Sequence, residues 1–268
     1  MIGADPTDPS LRRAATANEM RHSFGARDVV DGEKQVLVDQ VFSSVAGRYD
    51  LMNDLMSAGA HRLWKDAMVA RLGPPRAHGR RWHGLDVAGG TGDIARRILA
   101  AGGDGVRVTV LDINAAMLEA GRARPQNARF GDRIEFVLGN AEKLDFPANR
   151  FDAYTIAFGI RNVPDIAATL AEAQRVLKPG GRFLCLEFSQ VDVPGFDRFY
   201  DQWSRHVIPS IARVVTGDDQ PYRYLVESIA KFPNQRRFSE MITQSGLRRV
   251  AHNSFAGGLV ALHSAWKL

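Results

Sequence analysis

Regular alternation of short apolar segments with longer helical segments is the feature that most constrains the fold of this chain. Strands are predicted near residues 83–88, 106–111, 134–138, 152–158 and 182–188, with two more near 247–254 and 258–266. Segments with helical periodicity separate the first five. This pattern predicts an α/β fold with a doubly wound, mostly parallel seven-stranded sheet. Such sheets bind ligands at the carboxyl ends of their strands, so functional residues are expected in the loops that follow the strands.

The composition of the 268-residue chain, 45% hydrophobic and 24% charged, excludes disordered, collagen-like and disulfide-rich classes. The net charge of +5 permits attraction to nucleic acid or anionic lipid without requiring either. The single cysteine, Cys185, lies in an apolar run typical of a buried strand, which indicates a reducing compartment. No apolar stretch approaches the roughly 20 residues that span a bilayer. We therefore expect a cytoplasmic protein that is at most peripheral on the inner face of the membrane.

Shifts in composition divide the chain into an arm and one domain. Residues 1–32 are polar and lack sustained periodicity, which predicts a loose N-terminal arm. Residues 33–268 are predicted to form a single domain, in which 33–72 are helices that precede the first strand. Residues 190–245 are mostly helical and rich in aromatic side chains, so they are expected to form a helical cap inserted over the ligand crevice.

The loop after the first strand carries the most specific chemical pattern in the chain. Asp86 lies at the strand end, Gly89, Gly90, Gly92 and Asp93 follow, and a helical pattern starts with Ile94. Glycines let backbone approach a ligand closely and place amide donors at a helix N-terminus. The spacing lacks the third glycine of the dinucleotide pattern G-x-G-x-x-G. Two acids around three glycines suit S-adenosylmethionine, whose ammonium group either Asp86 or Asp93 would accept; a tight structural turn is the alternative.

Two further strand ends carry polar residues that suit the same cofactor. Asp112 ends the second strand, where an acid accepts hydrogen bonds from ribose hydroxyls; the alternative is the N-cap of the next helix. Asn140 follows the third strand, where its amide would bind adenine edges; the alternative is a turn-forming asparagine. Together with the glycine loop, these positions favour a nucleoside-bearing cofactor.

The loop after the fourth strand is expected on the substrate side of the crevice. Arg161 and Asn162 follow that strand, and a surface ion pair is the alternative role for the arginine. The segment 177–182 combines proline with two glycines, so it is predicted to be an architectural turn before the fifth strand.

These motifs, in this order, resemble those of the class I S-adenosylmethionine-dependent methyltransferases, which have a Rossmann-like fold. The match is closer to the UbiE family, the C-methyltransferases of ubiquinone and menaquinone biosynthesis. The segments that carry this resemblance are 41–57, 61–65, 86–93, 158–163, 177–181, 186–189 and 222–229. The glycine loop marks only the superfamily, whereas the segments before it and after Phe158 mark the family. The resemblance extends from about His22 to Leu268.

The resemblance implies S-adenosylmethionine as the cofactor and gives roles to individual residues. Thr91, Asp112 and the pair Asn140 and Ala141 match the cofactor-contacting positions of the family. Ala157 stands at a further contact where many members have serine, so only a backbone contact is implied there. Residues and resemblance together predict a cofactor-binding set of Asp86, Gly89, Gly90, Thr91, Asp112, Asn140, Ala141 and Ala157.

The implied reaction is methylation of a ring carbon of a polyprenylated benzoquinol or a demethylated naphthoquinol. Ionisation of a ring hydroxyl makes its ortho carbon nucleophilic, and a phenol titrates near pH 10, so the site must stabilise the oxyanion or accept its proton. Arg161 and Asn162 are the predicted oxyanion donors, and Tyr49 is predicted to bond the ring hydroxyl. His61 titrates in a suitable range, although its helix favours a structural role. The reaction needs no metal, and the sequence has no H-x-x-H or C-x-x-C spacing to bind one.

A polyprenyl tail is insoluble in water, so the expected substrate comes from a membrane. We expect the basic linker, residues 73–84 with Arg76, Arg80 and Arg81, to rest on anionic lipid together with the cap. The tail would meet two or three of the aromatic residues Phe196, Phe199, Tyr200, Trp203, Tyr222, Tyr224 and Phe232. The sequence has no dense stripe of lysine and arginine, so we expect no nucleic-acid partner. The family resemblance is compatible with a homodimer or with an assembly of quinone-biosynthesis enzymes.

Two other functions share the cofactor motifs. A small-molecule O- or N-methyltransferase would differ only in the cap and the N-terminal helices. A non-catalytic, cofactor-binding scaffold subunit of a quinone-synthesis complex would keep its function with alanine at Arg161, whereas an enzyme would lose turnover.

Overall fold

The computed structural model describes residues 59–189 and 220–268, together with residues 23–24, 27–28, 34, 37–38, 54 and 57. The sheet consists of β1 (Trp82–Val87), β2 (Val106–Asp112), β3 (Ile134–Leu138), β4 (Phe151–Ala157), β5 (Leu177–Phe188), β6 (Arg248–Phe255) and β7 (Val260–Trp266). Its strand order is β3-β2-β1-β4-β5-β7-β6. Strands β1 to β5 are parallel, and β7 runs antiparallel to β5 and β6. The predicted seven-stranded, mostly parallel sheet is confirmed.

Helices connect the strands as the periodicity predicts. They are α1 (His61–Leu72), α2 (Asp93–Ala101), α3 (Ala115–Arg122), α4 (Ile166–Val176), α5 (Gln220–Lys231) and α6 (Gln235–Gln244). Single helical turns cover Pro125–Ala128, Gly131–Arg133, Ile160–Asn162 and Ala256–Gly258. In the segment predicted to be a loose arm, Ser23–Phe24 and Arg27–Asp28 pair as a short antiparallel ribbon. Within the described part of the chain, no helix is long and apolar enough to cross a membrane.

Alternation of side chains along the strands builds an apolar core on each face of the sheet. In β5, Leu184 and Leu186 belong to one core, whereas Phe183 and Cys185 belong to the other. Helices α1 and α2 cover the first core, and α4 and α6 cover the second. Helices therefore lie on both faces, as the doubly wound prediction requires. The predicted burial of Cys185 is also confirmed.

Strand β5 corrects the prediction for residues 177–182. Leu177 already pairs with Phe151 of β4, whereas the next recorded pair joins Arg182 to Ala153. The residues between them form a bulge, in which Gly180 has a φ of +78° that suits a residue without a Cβ. The segment is thus a bulge inside β5 and not a turn before it.

The helical stretch predicted from about residue 52 is present but interrupted, since Asp54 and Ser57 are helical and a break precedes α1. The helical pattern runs from about residue 52, but Gly59 interrupts it with a φ of +79°. The Gly59 N–H donates to the Asp54 carbonyl at 3.0 Å, and α1 then begins at His61. Residues 190–219 of the predicted cap, with Phe196, Phe199, Tyr200 and Trp203, lie outside the described residues, as does the side chain of Tyr222.

The basic linker lies at the amino-terminal edge of the sheet. The Gly103 N–H donates to the Pro75 carbonyl at 2.8 Å, and the Gly79 N–H donates to Asp104 Oδ1 at 2.9 Å. Both partners belong to the loop that enters β2, opposite the edge where the strands end. A six-residue strand such as β1 separates the two edges by about 20 Å. The linker and the crevice therefore lie at opposite edges of the sheet.

Candidate active site

One cavity lies at the carboxyl ends of β1 to β4 and collects the predicted cofactor residues. Its lining includes Asp86, Gly89, Gly90, Thr91, Asp112, Asn140, Ala141 and Ala157. Asn162 also lines it, whereas the Arg161 side chain does not. Tyr49 lies outside the described residues. Among the described residues, no group of three or more His, Cys, Asp or Glu side chains could hold a metal ion.

The glycine turn after β1 is shaped by the carboxylate beneath it. A Cβ on Gly89 would lie 2.8 Å from Asp86 Oδ2 and 2.7 Å from Val110 Cγ1, so a larger residue would displace one of them. Gly90 has a φ of +53°, and its N–H donates to Asp112 Oδ2 at 2.8 Å. The turn therefore joins the two acidic strand ends through backbone that only glycine accommodates without strain.

Asp86 presents an unsatisfied acceptor in this cavity. Its side chain is buried, and Oδ1 accepts a hydrogen bond from the Thr155 hydroxyl at 2.8 Å. Oδ2 has no hydrogen-bond partner among the described residues. Burial raises the pKa of Asp86 to about 7, because the charged form loses hydration. A cationic group from a ligand would complete the shell of this carboxyl.

Asp93 is already paired with cationic side chains. This distinguishes it from Asp86, the other predicted acceptor of the ammonium group. Lys65 Nζ donates to Asp93 Oδ2 at 2.9 Å, and Arg96 and Arg97 bond Oδ1. Burial alone would raise the pKa of Asp93, but Lys65 and Arg97 outweigh it and hold that pKa well below its usual range. Between the two carboxylates, Asp86 is therefore the one with capacity for a ligand.

The geometry decides against the N-cap alternative for Asp112. Asn114 caps α3, since its Oδ1 accepts from the Met117 N–H at 2.9 Å. Asp112 instead accepts from the Asn114 N–H at 2.9 Å and from the Gly90 N–H at 2.8 Å, one on each oxygen. These two bonds fix the orientation of the Asp112 carboxylate at the cavity.

Asn140 forms a turn of its own. Its Oδ1 accepts from the Glu142 N–H at 2.8 Å, and its Nδ2 donates to Glu142 Oε2 at 3.3 Å. The Asn140 side chain therefore forms a turn, as the alternative interpretation of this residue predicts. Glu142 Oε1 also accepts a hydrogen bond from the Asp165 N–H at 2.5 Å. Glu142 thus connects the loop after β3 to the loop after β4.

Backbone strain marks the point where the loops after β1 and β4 meet. Ala88 and Phe158 have φ values of +49° and +57°, in a region that residues with a Cβ rarely adopt. A Cβ on Gly159 would lie 2.5 Å from the Cβ of Ala88, so the two loops are in direct contact. This contact positions the turn that carries Asn162.

Asn162 is oriented for donation into the cavity. Its Oδ1 accepts from the Tyr224 hydroxyl of α5 at 2.9 Å. No acceptor for its amide N–H groups lies among the described residues, and Asn162 lines the cavity. Burial raises the pKa of the Tyr224 hydroxyl, which therefore stays a neutral donor. Tyr224, one of the aromatic residues predicted near the substrate tail, thus makes a polar contact with Asn162.

Arg161 has a different environment from the one predicted. Its guanidinium is buried and donates to Glu187 Oε1 at 2.6 Å and to the Phe158 carbonyl at 2.7 Å through Nη1. Nε donates to the Ser228 hydroxyl at 3.3 Å. Arg161 is thus part of a buried ion pair beside the cavity, which contradicts the surface ion pair given as its alternative role.

His61 has the structural role that its helix favours. Its side chain is buried, and Nε2 lies 2.8 Å from Asp54 Oδ1. His61 is absent from the cavity lining. Burial lowers its pKa, so the ring is neutral near pH 7.

Two buried lysines near the cavity were missed by the sequence analysis. Lys65 lines the cavity itself, and Lys34 Nζ donates to the Val163 carbonyl at 3.3 Å beside it. Burial lowers the pKa of Lys34 to about 8, although Glu142 opposes this. The sequence signal that could have identified Lys65 is its position on the apolar stripe of α1, beside Trp64 and Met68.

Comparisons with known proteins decide the family. Residues 28–267 match the model of the ubiE/COQ5 methyltransferase family. The chain belongs to this family. A ubiquinone/menaquinone biosynthesis C-methyltransferase UbiE of Brucella abortus (strain S19) is 58% identical over 256 residues, which cover 96% of this chain and 94% of that protein.

Solved methyltransferase structures share the fold. In a complex of the Haloferax volcanii Trm112 methyltransferase activator with a putative methyltransferase, one chain matches with a TM-score of 0.60 and 18% identity, covering 84% of this chain and 97% of that one. Haemonchus contortus phosphoethanolamine N-methyltransferase 2, solved with S-adenosylhomocysteine, matches with a TM-score of 0.57 and 16% identity. The match covers 76% of this chain and 52% of that one. The fold is that of class I methyltransferases.

The protein is an S-adenosylmethionine-dependent methyltransferase, and its cavity suits that cofactor. Asp86 provides an unpartnered acceptor for an ammonium group. The backbone at Gly89 and Gly90 provides close approach, and Asp112 provides a carboxylate at the second strand end. The amino-acid and ribose groups would each find a chemically suitable neighbour.

Binding of S-adenosylhomocysteine is expected to strengthen as the pH rises from 5 to 7 and to level off above 7. Asp86, with a pKa of about 7, must lose its proton to pair with the ligand ammonium, so affinity rises up to about tenfold per pH unit below that value. Isothermal titration calorimetry in buffers of different ionisation enthalpy would measure both the affinity and the released proton. Asp86→Asn should remove the slope, and a flat wild-type profile would contradict the assignment.

Replacing Arg161 alone is expected to damage the fold. Arg161→Met leaves Glu187 buried without its cation, which should lower the free energy of unfolding by about 3–5 kcal/mol. The double variant Arg161→Met with Glu187→Met should recover most of that loss, as measured by urea denaturation. A single variant as stable as the wild type would refute this role. Alanine at Arg161 therefore does not distinguish an enzyme from a scaffold.

Proposed function

We propose that this enzyme transfers the methyl group of S-adenosylmethionine to a ring carbon of a polyprenylated benzoquinol, of a demethylmenaquinol, or of both, in ubiquinone or menaquinone biosynthesis. The observation that carries this proposal is 58% identity over 96% of the chain to a relative named for that activity. The cavity supports it, because cofactor-binding residues and a polar acceptor-side residue, Asn162, line the same space.

The cofactor would lie along the strand ends in a defined direction. Asp86 would take the ammonium group, Asp112 the ribose hydroxyls, and the loop at Asn140 and Ala141 the adenine. When bound, S-adenosylmethionine supplies an electrophilic methyl group on a positively charged sulfur. Positioning of the acceptor carbon in line with that group would then account for much of the rate.

The acceptor side must favour an ionised ring hydroxyl. A free phenol titrates near pH 10, so a donor at the developing oxyanion is needed at neutral pH. Asn162 is the proposed donor, because Tyr224 holds its carbonyl oxygen and its N–H groups have no acceptor among the described residues. Tyr49 remains a proposed partner of the same hydroxyl.

Arg161 is proposed to act as a positioning residue. Its guanidinium bonds the carbonyl of Phe158 and the carboxylate of Glu187, so it fixes the strained loop that precedes Asn162. Burial raises the pKa of Glu187, whereas Arg161 opposes that shift. The paired charges thus sit behind the cavity, where they orient Asn162 without touching the acceptor.

Contact with a membrane belongs to the same proposal, because a polyprenyl tail does not enter water. Two exposed apolar side chains at strand ends support contact at the cavity edge: Ile113 after β2 and Leu138 at the end of β3. A cytoplasmic location, and function as a homodimer or within a quinone-biosynthesis complex, are further parts of this proposal.

An anaerobic assay tests the function. The purified protein would be given S-adenosylmethionine with chemically reduced, short-tailed demethylated benzoquinol or naphthoquinol, and mass spectrometry would locate the added methyl group. We expect methylation at a ring carbon, with the preferred ring identifying the pathway. Methylation at oxygen would favour a small-molecule O-methyltransferase, and bound cofactor without any product would favour a scaffold subunit.

Asn162→Asp is expected to lower kcat by about 100- to 1,000-fold, because it replaces a donor at the oxyanion with an acceptor of the same shape. Binding of S-adenosylhomocysteine should change little, which calorimetry would check. Tyr224→Phe is the matched control, since it frees the Asn162 amide without removing it and should cost far less. An unchanged kcat for Asn162→Asp would overturn the assignment.

A further inference from the structure

Lys65 is the one cationic side chain among the described residues that line the cavity. It lies in the second turn of α1, and its side chain is 5% exposed. Its Nζ donates to Asp93 Oδ2 at 2.9 Å. The roles assigned to the strand ends do not account for a lysine at this position.

The ion pair with Asp93 leaves Lys65 partly unsatisfied. An ammonium group has three N–H donors, and Asp93 is the one acceptor found for them among the described residues. Asp93 also accepts from Arg96 and Arg97, so its charge is compensated without the lysine. A buried cation with unused donors is costly for folding, and such costs are typical of positions that serve a ligand.

A buried acceptor without a donor in the described part of the chain lies in the same cavity as this buried donor. Asp86 Oδ2 is buried and has no hydrogen-bond partner among the described residues. Lys65 and Asp86 line the same cavity, and the lysine charge opposes the burial that raises the pKa of Asp86. Helix α2 begins at Asp93, and its N-terminal dipole adds positive potential beside the lysine. An unused acceptor near unused donors fits a ligand that carries both an ammonium and a carboxylate.

We propose that Lys65 binds the α-carboxylate at the amino-acid end of S-adenosylmethionine, across from Asp86, and makes the enzyme select a cofactor with an intact amino acid. The proposal deepens the proposed function and rests on it, because both use the same cofactor cavity. Helix α1, which precedes the sheet, thereby contributes directly to cofactor recognition.

Calorimetry with three ligands tests this role: S-adenosylmethionine, decarboxylated S-adenosylmethionine, and 5′-methylthioadenosine, which lacks the whole amino acid. The wild type should bind S-adenosylmethionine about 10- to 150-fold more tightly than the decarboxylated form, as expected for one charge-assisted hydrogen bond. Lys65→Met should abolish that preference while the affinity for 5′-methylthioadenosine stays within about twofold. Lys65→Arg should retain part of the preference.

The control is Lys143→Met, which removes an exposed charge near the Asn140 loop and should leave all three affinities unchanged. Equal loss for all three ligands in Lys65→Met would show a merely structural role. Equal wild-type affinity for the two forms of S-adenosylmethionine would overturn the proposal even if the variant fails to fold. These measurements contain no quinol, so a failure of the proposed acceptor, seen as bound cofactor without ring methylation, is distinguishable from a failure at Lys65.

Discussion

A carboxylate buried beneath a glycine turn is the constraint on which the rest of the site depends. Asp86 Oδ2 occupies space that the Cβ of any residue but glycine at position 89 would invade. The next glycine, Gly90, bonds Asp112, so the same turn sets the second acid. Burial keeps the pKa of Asp86 near 7, and a cationic ligand therefore determines whether this carboxyl is ionised. The same short loop consequently determines both the packing around Asp86 and the preference of the cavity for a cationic ligand.

A buried ion pair, between Arg161 and Glu187, organises the loop after β4. Arg161 and Glu187 connect the ends of β4 and β5, and Arg161 extends the connection to α5 through Ser228. The pair also holds the Phe158 carbonyl, next to a backbone angle that a residue with a Cβ seldom adopts. Local strain of this kind persists only where surrounding contacts determine it, and it is found at functional sites. The adjoining Asn162 is thus held rigidly although it lies on a loop.

Local patterns in the sequence predicted local features well. Strand positions, the glycine turn and the acid at Asp112 follow from apolar periodicity and residue type over a few positions. Pairings between distant residues could not be predicted in this way: Glu187 lies 26 residues from Arg161, and Asp93 lies 28 residues from Lys65. Each residue alone is an ordinary charge, and only the folded sheet brings the partners together. The bulge that begins β5 was missed for a related reason, because its glycines also suit a turn.

The order of the strands explains why the proposed cofactor pose has only one direction in the cavity. Across the sheet the order β3-β2-β1-β4 places Asn140, Asp112, Asp86 and Asn162 in a row. Neighbouring strands lie about 4.8 Å apart, so each polar group meets a different part of an extended ligand. A base, a sugar and an amino acid are matched in that sequence, and β4 is left for the acceptor. Reversal would bring the uncharged adenine against the buried Asp86 carboxyl and remove the cation that would pair with it, and burial of unmatched charge disfavours that orientation.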